Sequence, residues 1–66
     1  MKYKYDRETD ILLIQLSEDK PDFGEQEGNI VTHYSKIGKP IEIEILDARS
    51  TVKKLIEAIN RGKKAV

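Results

Sequence analysis

Sixty-six residues without a cysteine make one small domain, with neither disulfides nor thiolate metal sites to support it. Twelve basic and twelve acidic residues cancel overall but segregate: residues 6–47 hold eleven acids against four bases, and residues 48–66 hold six bases against one acid. That balance argues against bulk nucleic-acid binding, the single His33 excludes any site needing two histidines, and the longest apolar run, ILLI, is far short of a membrane span.

The opening MKYKYD alternates, with Tyr3 and Tyr5 to one side and Lys2 and Lys4 to the other, which predicts a strand. DRETD then reads as a turn in which Asp6 and Asp10 accept nearby backbone N–H groups. Its Asp6, Glu8 and Asp10 imitate the first ligands of an EF-hand loop. The glycine such a loop requires falls on Ile11 and its bidentate glutamate on Ser17, so calcium binding is not expected. ILLIQLS predicts a second strand, with Leu12, Ile14 and Leu16 on one face and Ile11, Leu13 and Gln15 on the other, closing an antiparallel hairpin.

EDKPDFGEQEG reads as the one substantial loop, anchored only by Phe23. NIVTHYS predicts a third strand, KIGK a turn with Gly38 at positive φ, and PIEIEIL a fourth strand, begun or edged by Pro40. After Asp47 the period becomes helical. Ala48, Val52, Leu55, Ile56 and Ile59 form a single stripe, Asp47 or Ser50 caps its start, and Gly62 ends it. Lys53 with Glu57, and Glu57 with Arg61, stand four apart as potential pairs. Residues 62–66 are expected to fray.

The pattern predicts one α+β domain over residues 1–66. Its form is β-β-β-β-α: an antiparallel meander of about four strands within 2–46, and a helix over about 48–61 packed on one face. Ile41, Ile43 and Ile45 would meet the helical stripe. One helix cannot cover both faces of such a sheet. The face carrying Glu42 and Glu44 is therefore expected to be polar, or to be buried against another copy.

YDRETDILLIQLS, GNIVTHY, Gly38 and, most specifically, IEILDA at Ile43–Ala48 resemble a small prokaryotic family catalogued as domain of unknown function 2283. The resemblance spans nearly the whole chain up to Ala48. It implies a compact α+β domain with no agreed activity. For members encoded beside small toxin-like ribonucleases, it implies an antitoxin role. His33 and Glu42 depart from the family pattern, so no polar site is carried over.

No catalytic, cofactor or metal site is predicted. His33 could be oriented by Glu44 or Asp47, but Ser17, Ser35 and Ser50 lie in no nucleophile-elbow pattern. The residues singled out for partner contact are Glu42, Glu44, His33, Lys53, Lys54 and Arg61. Lys53, Lys54 and Arg61 form a strip that could meet phosphate, although no aromatic follows Tyr34 to stack on bases. The expectation is a cytoplasmic, non-enzymatic interaction module without a signal peptide, forming a dimer or taking a small protein partner. A nucleic-acid-associated regulator acting through the basic helix and tail is the second reading.

Overall fold

Two antiparallel hairpins flank one central strand. Strands β1 (Lys2–Asp6) and β2 (Ile11–Gln15) form the first, and β3 (Phe23–Glu27) and β4 (Ile30–Tyr34) the second; β5 (Pro40–Ile45) and helix α1 (Ala48–Asn60) follow. The structure, a computed structural model, describes residues 1–62. Of the tail expected to fray, residues 63–66 lie outside the described residues, and Gly62 is held to the helix end by its bond to the Ile59 carbonyl. The sheet runs β1-β2-β5-β4-β3 with every neighbouring pair antiparallel. The α+β class, the antiparallel sheet and the C-terminal helix are as expected.

The strands number five because part of the presumed loop pairs. FGEQE has poor strand propensity, yet all five of its residues stand in register against β4. The two-residue turn Gly28–Asn29 closes this hairpin with Gly28 at φ 58, a position glycine takes without steric cost. At the other end the rings of Phe23 and Tyr34 stack with centroids 5.2 Å apart. A Gly-Asn pair between two five-residue runs was the local signal for this strand.

Register sorts the side chains into rows across the sheet. Tyr5, Leu12, Ile45 and Ile30 form one row, and Tyr3, Ile14, Ile43 and Thr32 the next. Both lie on the isoleucine face, because alternate residues share a side. Lys4, Leu13, Glu44 and Val31 form a row on the opposite face. The core is small: among the described residues the buried apolar side chains are Ile41, Ile45 and Ala48.

The turns of the two hairpins grip the point where the chain leaves β5. Leu46 N–H donates to the carbonyl of Asn29 at 2.7 Å, and Ala48 N–H donates to the carbonyl of Asp10 at 2.9 Å. The Asp10 carboxylate then accepts the helical N–H of Arg49 at 3.2 Å and the Tyr5 hydroxyl at 2.6 Å. Arg49 Nε donates to the same Tyr5 oxygen at 3.2 Å, so the root of α1 sits on the isoleucine face. On the other side, Asn29 Nδ2 donates to Thr51 Oγ1 at 3.4 Å, and Thr51 Oγ1 donates to the Leu46 carbonyl at 2.9 Å.

Capping therefore differs from the expectation. Asp47 adopts a left-handed conformation (φ 48) and its side chain caps nothing. The carboxylate that satisfies the helix start comes from Asp10, 39 residues earlier in the chain. Asp6 does serve its own turn, accepting Glu8 N–H at 3.0 Å. At the far end of α1, Gly62 at φ 64 donates to the Ile59 carbonyl, closing the helix as expected. The Lys53–Glu57 and Glu57–Arg61 pairs are not made: the ion pairs among the described residues are His33–Glu44, Lys39–Asp19 and Arg49–Asp10.

The two left-handed aspartates allow a clean test. Glycine suits positive φ at both sites, so Asp47→Gly should hold or slightly raise the urea midpoint, while Asp10→Gly should lower it. The Tyr5 hydroxyl and, secondarily, Arg49 hold the Asp10 carboxyl below its ordinary 3.8, against the opposing effect of partial burial. Its contribution is therefore present above about pH 4 and is lost as the pH falls through the lowered value. The gap between the wild-type and Asp10→Gly midpoints should close on that acidic side; a gap unchanged at pH 2 would contradict the assignment.

Candidate interaction surface

The grip at the β5–α1 junction decides where the helical stripe goes. Enclosure is concentrated at the root of α1: Ala48 is buried, Thr51 and Val52 are half-buried, and further out only the small Ala58 is half-buried. Beyond it, Leu55 is 48% exposed, Ile56 51% and Ile59 74%. The helix was expected to lay its whole stripe across the sheet, and it does so only by its first turn and a half. A two-residue turn, Leu46–Asp47, bonded from both sides, joins the helix to β5, and with this junction the outer part of the stripe stands off the sheet.

The molecule is accordingly open. Its radius of gyration is 13.2 Å, where a compact chain of this length has about 11 Å. Its accessible surface is 5609 Å², against about 4,300 Å² for a compact protein of this mass.

The isoleucine face is likewise only part-covered. Tyr3, Leu16 and Phe23 are exposed on it, and Ile14 and Ile43 in its middle row are half-buried. Towards β3 lies an open cleft of about 470 Å³, whose floor includes Ile30, Thr32 and Tyr34 and whose rim carries Glu25 and Glu27. The acidic run that looked like a solvated loop thus forms the margin of a mixed polar and apolar surface.

The opposite face gathers three of the residues singled out from sequence. His33 stands directly across from Glu42 and hydrogen-bonds the diagonal neighbour Glu44, Nε2 to Oε1, at 2.8 Å. The ring has room because position 24, across from it on β3, is a glycine: a Cβ there would come within 3.2 Å of His33 Nδ1. Asp47 takes no part. Beside this group Ile11 and Leu13 floor a shallow cavity of about 300 Å³ edged by Lys4, Asp6 and Glu44. Lys53 and Lys54 on the helix, and Arg61 just beyond its end, are separate from it and exposed.

A histidine bonded to a carboxylate can relay a proton. Two candidate nucleophiles serve local turns instead, since Ser17 Oγ accepts Asp19 N–H at 3.1 Å and Ser35 Oγ accepts Lys39 N–H at 3.1 Å. Among the described residues, no helix is long and apolar enough to cross a membrane.

A family model described as "Protein of unknown function (DUF2283)" matches residues 2–49. No curated protein and no solved structure matches the chain. The matched segment holds the whole sheet and both hairpin turns, and it ends at Arg49, where the helix has just begun.

The fit of His33 over Gly24 has a measurable consequence. Gly→Ala in a strand normally gains about 0.5–1 kcal/mol. Gly24→Ala should gain less than this in the wild type and the full amount in a His33→Ala background. Equal gains in both backgrounds, by urea denaturation, would show that the ring does not occupy the space.

Proposed function

The chain belongs to DUF2283, a family of proteins of unknown function, and on that premise we propose that it is a non-enzymatic module that docks a protein partner through the open stripe of α1 and the adjoining isoleucine face. The observation that carries this reading is the exposure of Leu55, Ile56 and Ile59 in one row on a helix anchored only at its root. A thirteen-residue helix is marginal in water unless its apolar side is covered. Retaining three large aliphatic side chains there makes physical sense if something covers them. The polar group on the opposite face supports the same reading, because His33 and Glu44 satisfy one another beside Glu42 on the sheet surface rather than facing an enclosed pocket.

The absence of native cysteine makes the test simple. An environment-sensitive fluorophore on Ile59→Cys should shift to the blue when the stripe is covered, either by excess unlabelled protein or by extract of the source cells. Emission unchanged by both would overturn the proposal.

A second reading is favoured by one observation: Lys53, Lys54 and Arg61 project from the helix with no ion pair among the described residues. They could contact the phosphates of a nucleic acid, as an antitoxin-type regulator would. Three phosphate contacts predict that affinity for duplex DNA falls about 40-fold between 50 and 200 mM salt. Fluorescence anisotropy with labelled DNA and RNA measures this, and no binding at the lower salt removes the reading.

A further inference from the structure

The docking stripe and a surface able to receive it belong to the same chain. Building on the interaction-module reading above, we propose that the occupant is a second copy: α1 of each protomer lies across the isoleucine face of the other, in a reciprocal, two-fold exchange.

Three observations converge on this occupant. The first is complementarity of shape and polarity. One chain carries both an uncovered row, Leu55, Ile56 and Ile59, and a part-covered apolar face, and within the chain the two do not meet. A two-fold pairing satisfies both deficits twice over and leaves no open end for further growth.

The second is charge. Residues 1–47 carry a net charge of −5 and residues 48–66 a net charge of +5. The helix brings Arg49, Lys53, Lys54 and the adjoining Arg61 against a single Glu57, and the cleft on the isoleucine face is rimmed by Glu25 and Glu27. Helix on sheet therefore joins opposite charges, and the two charge dipoles run antiparallel across the axis. Pairing helix to helix would instead set two basic segments side by side.

The third is area. At the exposures observed, the three stripe residues leave about 300 Å² uncovered per helix. Covering an equal area of sheet, twice, buries about 1,200 Å², which reaches the lower end of stable, specific interfaces.

Mass as a function of concentration is the first measurement. Sedimentation from about 1 to 500 µM should show the 7.6 kDa chain converting to a species of twice that mass. Ile59→Asp changes a side chain that is already 74% exposed, so the monomer keeps its sheet, which amide exchange of β2 and β5 would verify. The same substitution should raise the dimer dissociation constant by about 100-fold or more.

Isotope-filtered NOEs in a mixed labelled and unlabelled sample then locate the helix. Leu55, Ile56 and Ile59 methyl groups should contact Ile14, Ile43 and Tyr34 of the other copy. A dimer untouched by Ile59→Asp, or NOEs confined to α1 against α1 or to the face carrying Glu42 and Glu44, would overturn the exchange. A monomer throughout would also overturn it. In that case a blue shift of the Ile59→Cys fluorophore in cell extract keeps the module reading and assigns the stripe to another protein, and no shift ends both.

Discussion

Everything distinctive about this molecule depends on how the chain leaves β5. Two hairpins from different parts of the sequence bring Asp10 and Asn29 to either side of one short turn, and their carbonyls hold the amides of Ala48 and Leu46. Asp10 adds its carboxylate to the first turn of α1 and ties it to Tyr5. These bonds do more than cap a helix. They set the angle at which it departs, and the departure angle decides which apolar side chains the chain can bury by itself.

The consequence is an economy of core. Ile41, Ile45 and Ala48 are enclosed close to the backbone junctions, while the outer part of the stripe and much of the isoleucine face remain accessible. Small domains have little apolar burial to spare. One that leaves the outer stripe of its helix off its sheet therefore keeps an unusual share of its apolar surface in contact with solvent, and the proposed exchange is what would cover it. The charge division follows the same line, since the sheet and its loops are acidic and the helix with its flank is basic.

The polar residues of IEIEIL illustrate how local pattern and function can be confused. Glu42 and Glu44 are close together and share a face, which invites a reading as a site. Glu44 instead accepts from His33, over a glycine that makes room for the ring. The pairing is a cross-strand contact of the kind that stabilises sheets. The uncovered apolar surface lies on the other side, among residues that look like ordinary core in the sequence.

Much of this was legible without coordinates. Alternation and the change of period at Asp47 located four of the five strands and the helix, and Gly38 and Gly62 marked their turns correctly, because each of these signals is local to a few residues. The stripe of Leu55, Ile56 and Ile59 was also evident, as was the shared face of Glu42 and Glu44, which His33 joins only through the pairing of β4 with β5. Three things were not legible, and all are products of distance along the chain. Strand β3 exists because β4 pairs with it, despite a sequence that disfavours it. Asp10 caps a helix from 39 residues away, in place of the neighbouring Asp47. The stripe stays uncovered because two remote turns fix the helix root. Periodicity tells which side chains need burial, and only the tertiary geometry decides whether the same chain can provide it.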